Sequence, residues 1–307
     1  MTHRFQDGEL SRRRFLQASA AGFGAVVAWQ LLDGQPARAA APVSGPAAVP
    51  IAFNAGWRFG PSVPGGTAVD FDDSGLVTVT LPHTVTPLSW REWDPASWER
   101  TWLYRRLFDA PPSSAGMRVF VDFAGALSGA TLTVNGHDLP GHVGGYLPFT
   151  AELTDLLQPT GNVLAVVLDA GFNIDVPPNR PAPQLSRSVD YWQPGGVYRG
   201  VELRVVPQVF LVDVFAKPIN VMDATRRQVD VEFTLDAAVV PHGAVTVTID
   251  LRDGSKKLAS VTVPVSITAT GQVTGTATLT GLSDISLWDM DDPHLYDVIA
   301  TLSLDNT

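Results

Sequence analysis

Beyond residue 50, apolar and polar residues alternate with a period of two in short runs broken by Gly, Pro, Asn and Asp, and sustained helical periodicity is almost absent. Successive side chains of a strand point to opposite faces, so this pattern confines the chain to half-buried strands and predicts an all-β fold class. Met117, Val119, Val121 and Phe123 alternate with Arg118, Phe120 and Asp122. Leu132-Thr133-Val134 runs directly into Asn135-Gly136, the dipeptide that supplies the two positive-φ positions of a tight hairpin turn. Val245, Val247, Ile249 and Leu251 alternate with Thr246, Thr248, Asp250 and Arg252 before Asp253-Gly254 turns the chain into Val261, Val263 and Val265. Only Leu153 to Leu157 reads as helical, for one or two turns at most.

The 307 residues, 45% hydrophobic and 17% charged, are enough for about two domains with real cores and exclude disorder for most of the chain. Seven of the eight tryptophans precede residue 193, whereas residues 216–280 are rich in Val, Thr and Ala with Phe233 as their one aromatic. That change of character predicts a domain boundary near Pro207, after the strand Val201-Leu203-Val205. Acidic residues outnumber basic ones 31 to 21, which leaves no broad basic face for phosphates and argues against nucleic acid as a partner. With no cysteine, a disulfide scaffold, a thiol nucleophile and a thiolate metal site are all excluded.

The first forty residues read as an address. Ser11-Arg12-Arg13-Arg14-Phe15-Leu16-Gln17 precedes an Ala/Gly-rich apolar run to Leu32, and Ala37-Arg38-Ala39 follows as a cleavage site. A charged stretch, a modest apolar stretch and an arginine pair immediately before Phe-Leu are the parts of a twin-arginine export signal over residues 1–39. The competing reading is a membrane anchor, which Gln17, Ser19, Gly22, Gly24 and Gln30 weaken. Export to the periplasm or beyond is the expectation, with no stable membrane span once the signal is removed. Removal takes five basic and three acidic residues and leaves 16 against 28, a charge of −12. Residues 40–49 read as a disordered lead-in.

Standard catalytic motifs are missing: there is no His-Glu-x-x-His, Gly-x-Ser-x-Gly or Walker loop. The six histidines stand singly, and His137 and His142, five apart, lack a nearby third ligand, so ordinary histidines are the stronger reading. The clusters Asp70, Asp72, Asp73 and Asp289, Asp291, Asp292 lack the glycine-containing loop and distal glutamate of a strong calcium site. No metal ligand set and no cofactor is predicted, and metal dependence stays open.

One segment carries more. Asp190-Tyr191-Trp192-Gln193-Pro194-Gly195-Gly196-Val197-Tyr198-Arg199-Gly200-Val201-Glu202-Leu203 resembles a signature of glycoside hydrolase family 2, the family of β-galactosidases, β-glucuronidases and β-mannosidases. Further resemblances fall in the family's order: Asp72-Asp73-Ser74 with Val79-Thr80-Leu81-Pro82-His83, the strand Tyr104-Arg105-Arg106-Leu107-Phe108, Val134-Asn135-Gly136, and Gly141-His142-Val143-Gly144-Gly145-Tyr146-Leu147-Pro148-Phe149. Leu156-Leu157, Gly161-Asn162 and Leu164-Ala165-Val166 continue the series, and Leu287-Trp288 with Pro293-His294-Leu295-Tyr296 is similar to the family's pattern late in its second domain. Departures are Leu76 or Val77, and Val85, where the family commonly has tryptophan; they read as packing changes.

The resemblance implies a jelly-roll (galactose-binding-like) sandwich over 50–206 and an immunoglobulin-like β-sandwich over 207–307, the latter expected to lack a strand. It also implies that the catalytic barrel with its two glutamates is absent from this sequence, so that no catalytic residue is assigned. Asp190 matches the aspartate that reaches from the jelly roll to sugar hydroxyls, and an ionised carboxylate suits that task because it accepts from two adjacent hydroxyls; the alternative is a loop cap. Tyr191 and Trp192 are candidate stacking faces for the sugar, with core packing the stronger reading. Arg199 is expected to be a structural ion-pair partner. The implied partners are a β-linked glycan or glycoside and the missing barrel.

On this reading the chain is the non-catalytic amino-terminal part of an exported glycosidase, β-galactosidase-like by preference and inert alone. The alternatives are a stand-alone carbohydrate-binding protein using Trp90, Trp93, Trp98 and Trp102 as exposed platforms, and a purely structural, adhesion-like sandwich pair.

Overall fold

The computed structural model describes residues 50–87, 94–171, 193 and 195–305. The predicted export signal and lead-in, Trp90, Trp93, Asp190, Tyr191 and Trp192 lie outside the described residues. The fold is all-β. Sixteen strands are described: β1 (Ile51–Ala52), β2 (Trp57–Pro61), β3 (Val77–Val79), β4 (Thr101–Phe108), β5 (Arg118–Phe123), β6 (Gly129–Val134), β7 (His137–Val143), β8 (Phe149–Glu152), β9 (Asn162–Asp169) and β10 (Val201–Val206), then β11 (Val209–Ile219), β12 (Gln228–Ala237), β13 (Val245–Asp253), β14 (Lys256–Val265), β15 (Gly271–Leu279) and β16 (Asp297–Leu304). The described residues up to Pro207 form one compact unit and those from Gln208 onward another. The helical stretch shrinks to a 3-10 turn, Thr154–Leu156.

In the first unit a four-stranded sheet, β1-β10-β5-β8, faces a six-stranded sheet, β3-β2-β4-β9-β6-β7. Alternation decides which side chains meet: Val121 and Phe123 of β5, Tyr104 and Phe108 of β4, Leu132 and Val134 of β6, and Leu164, Val166 and Leu168 of β9 are buried in one core with Trp57, Phe149 and Leu203. Asn135 and Gly136 take φ of 51° and 80°, and Val134 pairs with His137 across the turn, so the left-handed hairpin is formed as the dipeptide requires. Asn135 also ties the turn to its surroundings. Its amide donates to the Leu156 carbonyl at 2.7 Å and to Asn162 Oδ1 at 2.8 Å, while its own oxygen accepts from the Val163 amide at 2.9 Å.

The outer faces are less polar than alternation implies. On β5, Arg118 and Phe120 are both buried. Two guanidiniums, Arg118 at 5.0 Å and Arg204 at 4.9 Å, lie over the Phe120 ring, and each is ion-paired, to Glu152 at 2.7 Å and Asp122 at 2.8 Å. Cations so held cover an aromatic that would otherwise face water. On the six-stranded sheet, Arg105 is 2% exposed because the segment between β2 and β3 folds over it. It donates to the Gly66 and Ala68 carbonyls at 2.7 and 2.8 Å and to Asp73 at 3.3 Å, with Phe71 against its guanidinium. Asp73 therefore serves as an anchor, and Asp72 accepts from the Ser74 amide in a local turn.

The second unit is a smaller sandwich of two three-stranded sheets, β11-β12-β15 and β14-β13-β16. Val231, Phe233 and Leu235 of β12 and Val247, Ile249 and Leu251 of β13 form the middle of its core. Asp253-Gly254 turns β13 into β14 as predicted, and a register shift follows Leu251.

The candidate sugar loop and its anchor

The signature segment enters the described structure at Gln193 and again at Gly195, and from there to β10 it is wedged into the first unit. Gly196 exchanges backbone bonds with Leu127, donating at 3.2 Å and accepting at 2.9 Å. The His83 amide donates to the Val197 carbonyl at 2.9 Å, and the Val85 amide lies 3.4 Å from the Gly195 carbonyl. Contacts this close demand glycine. A Cβ at Gly196 would stand 2.3 Å from the His83 carbonyl oxygen, and its φ of +116° is one that side chains rarely adopt. Val85, where the family more often has tryptophan, is 8% exposed and packs beside Gly195.

Side chains lock the same place. His83 Nδ1 and the Tyr104 hydroxyl are 2.9 Å apart, with Phe59 packed against both rings. Burial lowers the His83 pKa and raises that of Tyr104, the latter against a bond from the Val197 backbone. Each shift favours the neutral form of its group. On the other flank the Tyr198 hydroxyl donates to the Gly145 carbonyl at 2.8 Å and Gln193 Nε2 donates to the Tyr146 hydroxyl at 3.2 Å. Arg199 corrects an expectation. Among the described residues it makes no ion pair; its Nη1 donates to both the Ala124 and Tyr146 carbonyls, at 3.3 and 3.2 Å, and its guanidinium lies against the Tyr198 ring.

This arrangement fixes Gly195 to Val197, which follow Asp190, Tyr191 and Trp192 in sequence; those three lie outside the described residues. Trp98 and Trp102, predicted as exposed platforms, are 1% and 8% exposed. The Trp102 ring N–H donates to the Trp98 carbonyl at 3.0 Å and its ring stacks on Phe59 at 5.0 Å. They are core residues, because Trp102 falls on the inward register of β4 and Trp98 lies four residues before it, over the same core. His137 and His142 both lie on β7, and His142 stacks on Phe149 at 4.3 Å, its pKa lowered by burial. Among the described residues no three His, Asp or Glu side chains come together as a metal site.

The motifs also hide residues whose role only the fold displays. Tyr104, Gly145, Tyr146 and Leu127 surround the signature segment although 40 to 90 residues precede it in sequence, and no local spacing connects them.

Residues 209–307 match the model of glycosyl hydrolases family 2. The chain is 25% identical over 259 residues to a β-galactosidase of Thermoanaerobacter pseudethanolicus, covering 83% of this chain and 33% of that protein. It is 22% identical over 276 residues to a β-glucuronidase of Formosa agariphila, covering 83% and 28%. A solved β-glucuronidase of Bacteroides uniformis superposes with a TM-score of 0.72 at 23% identity, over 84% of this chain and 30% of that one. The chain thus spans about a third of the length of the curated relatives it matches. The second sandwich is matched by the family model, the motifs of the first stand in the family's order and the fold of both is shared with these relatives, so residues 209–307 carry a sandwich of glycosyl hydrolases family 2.

Proposed function

We propose that this chain is the sugar-contacting, non-catalytic amino-terminal part of an exported glycosidase that hydrolyses O-glycosidic bonds, β-galactosidase-like by preference, and that alone it hydrolyses nothing. The observation that carries the reading is the rigid seating of Gly195, Gly196 and Val197 against His83, Val85 and Leu127, which anchors the segment that follows Asp190. A structural linker has no need of two glycines pressed close, Gly195 on the Ala170 and Val85 side chains and Gly196 on the His83 backbone; a segment that must hold a carboxylate at a fixed place does. Asp190 is the residue assigned to sugar hydroxyls, with Tyr191 and Trp192 as its candidate stacking neighbours. Two retaining-type carboxyls belong to a further domain in this reading, so the two sandwiches orient substrate and exclude water. The β-galactosidase preference rests on the 25% identity to the Thermoanaerobacter pseudethanolicus β-galactosidase, against 22% to the Formosa agariphila β-glucuronidase, and export rests on the arginine pair and apolar run of residues 1–39.

The test joins this chain to the remaining two-thirds of the Thermoanaerobacter pseudethanolicus relative and follows a nitrophenyl β-galactoside. The chain alone is expected to be inactive, the chimera active, and Asp190→Ala in the chimera to raise KM and lower kcat/KM at least tenfold with unchanged thermal unfolding. Hydrolysis by the chain alone, or an Asp190→Ala chimera with unaltered kinetics, overturns the reading. Signal function is checked separately: Arg12→Lys with Arg13→Lys is expected to abolish export of a folded reporter fused after Ala39.

A further inference from the structure

Between β7 and β8 the segment Gly144-Gly145-Tyr146-Leu147 exposes its larger side chains, Tyr146 at 39% and Leu147 at 58%. Apolar burial contributes little there, yet the signature segment grips it on both sides of the Gly195-Gly196 pair. After the pair, the Tyr198 hydroxyl donates to the Gly145 carbonyl at 2.8 Å and Arg199 Nη1 donates to the Tyr146 carbonyl at 3.2 Å. Before it, Gln193, 4% exposed, donates its side-chain amide to the Tyr146 hydroxyl at 3.2 Å. The approach is close: a Cβ at Gly145 would stand 2.3 Å from Leu127 Cδ2, and Leu127 is the residue that bridges to Gly196. The backbone of residues 145–146 is thus pinned by Tyr198 and Arg199, and from that base the Tyr146 ring carries its hydroxyl to a buried amide.

We propose that Tyr146 is a positioning residue for the sugar-contacting segment: it acts through Gln193, whose amide it holds, and so limits where Asp190 can stand. The inference rests on the assignment of Asp190 to sugar hydroxyls made above. Its physical basis is the length of chain between Asp190 and the nearest fixed point. Asp190 precedes Gln193 by three residues and precedes Gly195, the next point held by a described backbone contact, by five. At roughly 3.3–3.6 Å per residue these tethers reach at most about 10 and about 17 Å, so fixing Gln193 reduces the volume open to the carboxylate about fivefold. A carboxylate that must accept from two adjacent hydroxyls binds more weakly as the volume it samples grows. Tyrosine suits the task because its hydroxyl stands at the end of a rigid ring with two torsions, so little freedom is lost in holding the amide. A hydroxyl that only satisfied a buried amide would act on stability and not on substrate.

Tyr146→Phe separates the two roles, because it removes the hydroxyl and leaves the bonds to the Gly145 and Tyr146 carbonyls in place. In the 307-residue chain, which needs no activity for this measurement, backbone hydrogen exchange is expected to speed about threefold or more in a peptide spanning residues 189–193 and to stay unchanged over β10. In the chimera with the Thermoanaerobacter pseudethanolicus relative, Tyr146→Phe is expected to raise KM about fivefold with kcat unchanged. On an Asp190→Ala background the same substitution is expected to change nothing further, since no carboxylate is left to place; a structural role would give the same change with and without Asp190. Unchanged exchange over 189–193, an unaltered KM while Asp190→Ala still impairs the chimera, or effects of the two substitutions that multiply would each overturn the inference and leave the Asp190 assignment standing. An Asp190→Ala chimera with unaltered kinetics overturns that assignment and this inference with it.

Discussion

Individual side chains do unequal work at the anchor. Asn135 satisfies three hydrogen-bonding groups from a left-handed backbone that few other residues tolerate. Asn135→Ala removes all three bonds and adds strain, so a loss of about 2–3 kcal/mol is expected, measured by urea unfolding. Gly196 is more exacting. Gly196→Ala presses a methyl against the His83 carbonyl at an adverse φ, and the variant is expected to lose more than about 3 kcal/mol or to fail to accumulate as folded protein. Tyr104→Phe is gentler, removing one hydroxyl from His83 and the Val197 backbone; about 1–2 kcal/mol is expected, with the fold retained by circular dichroism. The sequence named Gly196 and Asn135 through their motifs. Nothing local named Tyr104 as a partner of His83, because that bond exists only once β4 and the segment after β3 are brought together.

Among the elements, the covering segment between β2 and β3 depends on one residue. Arg105 projects from the outer face of β4, and its burial is possible because two carbonyls and Asp73 receive its protons. Arg105→Met keeps the length of the side chain and removes the bonds. We expect a loss of about 3 kcal/mol and new proteolytic cleavage between Ser62 and Leu76, read by limited proteolysis and mass spectrometry. Strand alternation was legible for β5, β13 and β14, where Val, Phe and Ile recur at every second position. It misjudged Trp98 and Trp102, since a tryptophan-rich stretch before a strand looks like a binding loop until the strand's register turns the rings inward. It also missed the cover on the outer faces, where Arg118 and Arg204 sandwich Phe120; charged residues at alternate positions read as solvent-facing, and only the paired carboxylates reveal otherwise.

Across the molecule, acid should destabilise the fold in two steps of the same sign. His83 is half-buried and its pKa is lowered by that burial, so the folded state resists a proton that the unfolded chain takes up near pH 6.5, and stability falls as pH drops below that value. Glu152 is lowered chiefly by its bond from Arg118; Asp250 is raised by burial but lowered on balance by Ser260, Lys257 and Arg252. Carboxyls of depressed pKa contribute stability above their unfolded values and lose it as pH falls, below about pH 4.5 for Glu152. Urea midpoints at pH 7.5, 5.5 and 3.5 should decrease in that order. Glu152→Gln should flatten only the lower step, by less than about 1 kcal/mol because the pair is partly solvated. The sequence alone determined the all-β class, the two sandwiches and the turn at Asn135-Gly136, because period-two alternation and left-handed turn residues act over a few positions and need no distant partner. Tertiary structure decided which tryptophans are core, how Arg105 comes to be buried beside Asp73, how Arg199 is held by two carbonyls and how Gly196 is seated, because each of these depends on groups brought in from distant parts of the chain.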